Sequence, residues 1–434
     1  MVLYVVDTLR ADAIGPSGQA WARTPALDAF AREAVVFQQA RAVSSWTRPS
    51  MASILTGAEP GAHRVETRHD ALPEDLPSLA SRLGSAGYTT AYFTANPNAG
   101  SFFGFGRDFD HVAELYARRE AGTIDQSELI TRDRDVVDRA LAWMETAPRP
   151  FLLVVLCVDP HRPYRPSTPL AADAAQEIRR ARAPAAARER GAPWPENWRR
   201  WRARYAGEVR DADAAFGRLV ARLEFTEELD QSLVLFTSDH GEEFLEHGGI
   251  DHGRTLFDEV LRVPLVVRFP ATASVAPGVR RDAVDSLDLV PTILDVLGLP
   301  KEDALPGRSL RGPAGEPRAF PVAARLAKEG QDLRSVVTPP WKLIRDGATG
   351  SDHLYRVDGA APEPHPIALD RDPSVRAEVT RLRRHLDAWT AAETARSGAP
   401  AAPLSEEARA ALEALGYAVP DEESEAETEA APAR

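Results

Sequence analysis

The chain has 434 residues, 44% of them hydrophobic, which suits one large domain with a smaller appendage or two domains. Its formal charge is −13, so non-specific adhesion to nucleic acid or to an anionic membrane is not expected. Cys157 is the one cysteine, so no intramolecular disulfide is available, and no apolar run reaches the ~18–20 residues that span a bilayer.

Short apolar runs alternate with helical patterns along the chain. Val2–Val6 reads as a buried strand that follows Met1 directly. No signal peptide is visible, and a domain opening inside its first core strand suggests residues missing upstream, so localisation stays open. Thr24–Glu33 reads as a capped helix with Pro25 in its first turn. Ser44–Gly57, SSWTRPSMASILTG, places Thr47 at the mouth of a helix-like run. Leu76–Ala86 is expected to be a helix ending at Gly87, and Thr89–Thr94 a strand. Asp133–Thr146 should be a helix and Phe151–Val158 a fully apolar strand, followed by a helix at Glu208–Leu223. Ser232–Thr237 and Leu265–Arg268 read as strands and Asp288–Leu297 as a helix. Apolar strands separated by helices predict an α/β domain whose large, mostly parallel sheet is sandwiched by helices.

That catalytic domain is expected over 1–315, interrupted at 172–204 by an Ala/Arg/Trp-rich helical excursion. Over 316–395 the pattern shifts to short alternating pieces, RSVVT, WKLIRD and DHLYRV, then a helix at Ser374–Glu393: a small antiparallel sheet with a helix. Residues 396–434 read as helical at first, and from about Pro420 as an acidic, disordered tail.

Candidate chemistry gathers at strand ends, the edge where open α/β sheets bind ligands. Asp7 ends VLYVVD, Asp159–His161 follow FLLVVLCV, and Asp239–His240 follow SLVLFTS. Any one of these could be a strand terminator, but carboxylate and imidazole together form a donor set for Zn²⁺, Mn²⁺, Mg²⁺ or Ca²⁺. Thr47 alone would be a helix cap. Beside such a cation its hydroxyl becomes a nucleophile, and the free N–H groups of a helix N-terminus favour an anionic ester.

These segments resemble the sulfatase-like branch of the alkaline phosphatase superfamily. VVDTLRAD at 5–12, WTRPSMASILTG at 46–57, TSDHGEEFLEHG at 237–248 and HGRTLFDEVLRVPLVV at 252–267 carry the likeness, with the C-terminal WKLIRD and HLYRV adding to it. The resemblance implies the alkaline phosphatase-like fold and one divalent metal held by Asp7, Asp239, His240 and Thr47, with Thr47 as nucleophile. It also implies His161 and His252 as candidate general acids and substrate contacts, and Arg48 and Arg68 as substrate-binding residues. Arg68 enters because relatives with two zincs hold a phosphate oxygen with an Asn about twenty residues after the nucleophile. A second metal on Asp159, His161 and His252 is the lesser alternative.

Two departures bear on the chemistry. Sulfatases carry Cys or Ser in C/S-x-P-S-R and oxidise it to formylglycine; here the residues run Thr47-Arg48-Pro49-Ser50-Met51. Threonine cannot become formylglycine. Sulfatases also usually pair two Asp at the first strand end, whereas Asp7 is followed by Thr8. Both point to the Thr-nucleophile relatives, namely phosphodiesterases, phosphonate hydrolases and phosphoglycerol transferases. The expected substrate is then a small-molecule or lipid- or polymer-linked anionic ester, cleaved through a phosphothreonine. The alternatives are sulfate ester hydrolysis without formylglycine, and a non-catalytic binding protein with a degenerate site.

Overall fold

The computed structural model describes residues 1–17, 21–116, 131–167, 170, 172–313, 315, 318–326, 331–357 and 366–394, together with Arg409 and Leu412. The acidic tail expected from about Pro420 lies outside them.

The strands of the main sheet are β1 (Val2–Val6), β2 (Val35–Arg41), β3 (Thr89–Thr94), β4 (His111–Glu114), β5 (Phe151–Cys157) and β6 (Val234–Thr237). A small hairpin follows, β7 (Glu243–Phe244) with β8 (Ile250–Asp251), and then β9 (Leu265–Arg268) and β10 (Gly278–Asp285) return to the main sheet. The eight-stranded order is β10-β2-β9-β6-β1-β5-β3-β4. Every pairing is parallel except the two made by β9.

β1 lies at the centre and is apolar on both faces, as a strand covered on two sides must be. Val2, Tyr4 and Val6 enter one core with Phe216, Leu219 and Leu223 of the long helix Trp194–Phe225 and Val136, Val137 and Met144 of the helix Asp133–Thr146. Leu3 and Val5 enter the opposite core with Met51, Ile54 and Leu55 of the helix Thr47–Thr56 and Ile293 of the helix Leu289–Val296. Cys157 belongs to the first core, where its Sγ contacts the Tyr4 hydroxyl at 3.1 Å and burial pushes the thiol up.

The segment expected as a helical excursion at 172–204 does not stand away from the body. It forms helices at Ala172–Arg180 and Ala185–Glu189 and then the first third of the long helix. Ile178, Ala187 and Trp198 are buried in the first core, so its apolar residues have a face to cover.

The C-terminal part is a four-stranded antiparallel meander, β11 (Phe320–Leu326), β12 (Gln331–Thr338), β13 (Trp341–Asp346) and β14 (Asp352–Arg356). The helix Pro373–Thr394 packs Val375, Val379, Leu382 and Leu386 against Val336, Leu343 and Leu354. The other face places Ile344 and Tyr355 on Leu256, Val260 and Leu261 of the catalytic part. Beneath that contact Lys342 Nζ donates to Asp258 Oδ1 at 3.1 Å and Arg41 Nη2 to Asp258 Oδ2 at 2.9 Å, all three side chains buried.

Candidate active site

Four adjacent parallel strands deliver the floor of the site at their C-terminal ends. Asp7 follows β1, Asp239 and His240 follow β6, His161 lies four residues beyond β5, and Asn96 lies two beyond β3. β1 pairs with both β5 and β6, so the chain emerging as Asp7 runs between the other two; Asp7 N donates to Cys157 O at 2.8 Å. Thr8 then turns the chain with φ 58°, an uncommon conformation for a β-branched residue. The turn points its amide at Asp239 Oδ1, 3.3 Å away, while Tyr205 fastens the outgoing strand through Thr8 O at 2.6 Å and Arg10 N at 2.8 Å. Strain of roughly 1–3 kcal/mol stored in this way concentrates at functional sites.

Thr47 opens its helix, with Trp46 extended before it and Gly57 closing the far end at φ 74°. Pro49 fits because first-turn N–H groups have no helical partner to lose. The Thr47 hydroxyl lies 3.3 Å from His240 Nε2 and 3.4 Å from Asn96 Nδ2. Behind the helix His63 is buried, accepting from Val65 N at Nδ1 (3.0 Å), so Nε2 donates to Ser53 Oγ (3.0 Å). Burial drives its pKa down to about 3, so it stays neutral.

The neighbour Arg48 turns away from the ester-binding role. Its guanidinium is buried over the Phe103 ring, 3.3 Å from the centroid, and donates to Asn98 Oδ1 at 2.9 Å and to the carbonyls of Thr67, Arg68 and Asp70. Arg48 therefore clamps the 67–70 loop to the helix that Thr47 opens. Arg68 takes part in that clamp through its carbonyl. It is Asn96, not Arg68, whose amide meets the Thr47 hydroxyl.

Asp7, Asp239 and His240 are each fully buried, and their ligand atoms lie within 4.8 Å of one another. His240 Nε2 stands 3.5 Å from Asp7 Oδ1 and 3.4 Å from Asp239 Oδ2. Among the described residues neither of those two oxygens has a hydrogen-bond partner. His240 Nδ1 lies 2.9 Å from Gly241 O, which fixes the proton there and turns the Nε2 lone pair to the carboxylates. Burial, then the Asp239 charge, push the Asp7 carboxyl well up, against the Asn96 amide that donates to its Oδ2; burial pushes His240 down. Two buried carboxylate oxygens without donors and an imidazole nitrogen facing them are a donor set that a divalent cation satisfies. The Thr47 hydroxyl is the next donor along.

His161 and His252 come together above this floor. Their rings are 5.1 Å apart, and the His252 ring is 4.4 Å from that of His240. His161 Nδ1 lies 2.6 Å from Arg162 O, and His252 Nδ1 lies 3.1 Å from Glu242 Oε1. Burial, the largest cause for each, drives Glu242 up to about 8 and His252 down to about 3. Asp159 does not join them. Its Oδ1 accepts from Asp133 N at 3.2 Å and faces Arg132 Nη1 at 3.7 Å, so the alternative second-metal set is not assembled among the described residues. A separate cluster, Glu243, His247 and Glu259, knots the loop after β6: His247 Nδ1 meets Glu259 Oε1 at 2.6 Å, and Glu243 takes Gly249 N and Thr255 Oγ1.

Sequence reasoning singled out neither Asn96 nor Glu242 for the site. The signal for Asn96 was present: ANPN follows the strand TTAYFT at the same sheet edge as Asp7. Glu242 is wholly buried and gives its second oxygen to the Tyr164 hydroxyl at 2.9 Å.

Fold and site together define an ester hydrolase of the alkaline phosphatase superfamily. A family model described as Sulfatase matches residues 1–299, and the chain belongs to the sulfatase family. It is 26% identical over 414 residues to the uncharacterized sulfatase YidJ of Escherichia coli strain K12, covering 82% of this chain and 80% of that one. It is 27% identical over 395 residues to the multifunctional alkaline phosphatase superfamily protein PehA of Trinickia caryophylli, covering 71% and 76%. The fold is shared with the phosphonate monoester hydrolase of Silicibacter pomeroyi, at TM-score 0.71 and 22% identity over 90% of this chain and 94% of that one.

Proposed function

We propose that the protein cleaves phosphate esters, diesters foremost, by attack of the Thr47 hydroxyl, passing the phosphoryl group to water or to an acceptor alcohol. The observation that carries this reading is the place of that hydroxyl. It sits on a helix N-terminus, within 3.4 Å of His240 and Asn96 and beside two donor-less carboxylate oxygens. Oxidation at a threonine Cβ would yield a ketone rather than the aldehyde that formylglycine chemistry requires, so a hydroxyl nucleophile is the chemistry left to position 47.

A divalent cation held by Asp7, Asp239, His240 and the Thr47 oxygen would supply Lewis acidity and a lowered hydroxyl pKa. The chain's own groups do the rest. The helix N-terminus and the Asn96 amide receive the anionic ester. Thr47 Oγ1 releases its proton to solvent, recovering it when it is displaced in the second step, and bonds to phosphorus as the bond to the leaving oxygen breaks, giving phosphothreonine. His252 or His161 gives the leaving oxygen its proton. The same imidazole then takes a proton from water or the acceptor alcohol, whose oxygen displaces Thr47 and returns its hydroxyl.

The test is a panel of p-nitrophenyl phosphate monoester, diester, phosphonate and sulfate, each with Mn²⁺, Zn²⁺, Mg²⁺ and Ca²⁺. The diester or phosphonate should turn over fastest, Thr47→Ala should abolish that turnover, and Thr47→Ser should keep part of it. Full activity in Thr47→Ala overturns the nucleophile. Faster cleavage of the sulfate supports the second reading, which the sulfatase relatives favour: sulfate ester hydrolysis with the threonine hydroxyl itself.

A further inference from the structure

We propose that Glu242 is the positioning residue of the reaction, holding His252 by Nδ1 so that Nε2 is the nitrogen that exchanges a proton with the leaving oxygen. The inference rests on the reading of this site as ester-cleaving, and it does not depend on whether phosphorus or sulfur is attacked.

Glu242 spends both oxygens on groups that belong to the site. Oε1 meets His252 Nδ1 at 3.1 Å, and Oε2 accepts from Tyr164 at 2.9 Å. Tyr164 lies three residues after His161, so one carboxyl group joins the loop that follows β5 to the loop that carries His252. A buried carboxyl is costly, and an apolar residue would fill the same space more cheaply; keeping one here is explained by what its oxygens hold. The chain path is fixed on both sides of it. Gly241 passes so close to Glu259 that a Cβ would meet the Glu259 carbonyl oxygen at 2.1 Å, and Arg10 Nη1 donates to Glu242 O at 2.7 Å.

His252 is held at its other flank as well. Gly253 N donates to Ser45 O at 2.8 Å, two residues before Thr47, and Gly253 takes φ 79°. The imidazole is therefore pinned between the nucleophile loop and Glu242, with 8% of its side chain exposed and its ring 4.4 Å from that of His240. With Nδ1 committed to Glu242, the proton that leaves for the ester oxygen goes from Nε2. The bond broken is the one between the leaving oxygen and the central atom, and the bond formed is O–H on the released alcohol. This is the orienting-carboxylate arrangement by which a third group sets the reactive nitrogen of a histidine.

The experiment uses the full chain and a series of phenyl, 4-chlorophenyl and 4-nitrophenyl esters of whichever acid the wild-type protein turns over best. General acid catalysis matters most for poor leaving groups and contributes about 10²–10⁴-fold. His252→Ala should therefore lower kcat/KM for the phenyl ester by about 10²-fold or more and for the 4-nitrophenyl ester by less than about 10-fold. Glu242→Leu should reproduce that leaving-group dependence, Glu242→Gln, which still accepts from Nδ1, should restore most of it, and Glu242→Leu should add little in the His252→Ala background. Should the Leu variant fail to fold, Glu242→Asp shortens the reach while keeping the charge and should show the same selective loss in part. A loss equal for all three leaving groups, or one that adds in full to His252→Ala, overturns the proposal and leaves Glu242 a structural residue. Full activity of Thr47→Ala would overturn the nucleophile instead, leaving this comparison intact.

Discussion

Replacing Asp7 with asparagine should make the cation-free protein more stable and the cation-loaded protein inactive. Asp7 Oδ1 and Asp239 Oδ2 are buried without donors and flank His240 Nε2 at 3.5 and 3.4 Å. Two unit charges at the 4.8 Å limit of this cluster repel by about 3.5 kcal/mol at an effective dielectric of about 20. The raised Asp7 carboxyl relieves part of that by holding its proton, so the net strain to be recovered is about 1–3 kcal/mol. In Asp7→Asn the new side-chain oxygen would accept from Asn96, and the new amide could donate to Asp239 Oδ2, supplying the missing donor. In chelator the variant should melt about 1–3 °C above wild type, at about 1 °C per kcal/mol for a chain of this size. Added Zn²⁺ or Mn²⁺ at 100 times Kd should stabilise wild type by about 2.7 kcal/mol and the variant by much less. Calorimetry at one scan rate, in chelator and in each cation, reads both. A chelated variant that melts below chelated wild type, or equal stabilisation of the two by cation, refutes the reasoning.

Asn96→Ala removes the amide that faces both Asp7 Oδ2 and Thr47 Oγ1; kcat should fall about 10²–10³-fold with the melting temperature little changed, and a change in KM alone would argue against a transition-state role. Asp258→Asn weakens the acceptor shared by Arg41 and Lys342 beneath the C-terminal sheet, and should cost about 3–5 kcal/mol by denaturant unfolding; a cost under about 1 kcal/mol would show that sheet to be held by its apolar contacts alone. His63 has its folded pKa depressed from 6.5 to about 3, so its contribution is complete above pH 6.5 and lost as pH falls, by about 3 kcal/mol at pH 4. Stability curves of wild type and His63→Leu should therefore converge between pH 6.5 and 4, and a constant gap between them would contradict the burial argument.

The centre of the sheet was legible because β1, β3, β5 and β6 are almost wholly buried and read as uninterrupted apolar or β-branched runs. Its flanks were not. β2, second from the edge, carries the half-buried Gln38 and Gln39, and the edge strand β10 carries Arg280, Arg281 and Asp282, which an edge tolerates because one side meets solvent. The reversed direction of β9 was invisible too, since LVVR reads the same in either sense. At the site, the clustering of the candidate ligands could be read, because Asp7, Asp239 and His240 each follow an apolar run at the same sheet edge. Arg48 could not: whether a first-turn side chain faces the substrate or the loop behind it depends on Phe103 and Asn98, about fifty residues on. Counting about twenty residues from Thr47 led to Arg68. The amide that meets Thr47 instead arrives on a different strand, so distance along the chain carried no information about it.

The departures at positions 8, 47 and 51 are chemically consistent with one another. A second aspartate after Asp7 would bring another carboxylate into a buried space that already holds two. The Thr8 side chain instead turns back and donates from Oγ1 to Asp7 O at 2.7 Å, while its backbone amide faces Asp239 Oδ1. The donor set left for a cation is then two carboxylates, one imidazole and the hydroxyl of Thr47. It is small and contains nitrogen, which suits Zn²⁺ or Mn²⁺ better than Ca²⁺, whose shell takes about six to eight oxygens. Met51 is wholly buried in the core beneath the helix, so no cationic side chain stands one turn after Thr47 where an arginine would. With no second aspartate, no oxidisable Cys or Ser and no arginine at these positions, the Thr47 hydroxyl is the group on which the candidate roles of nucleophile and ligand both fall.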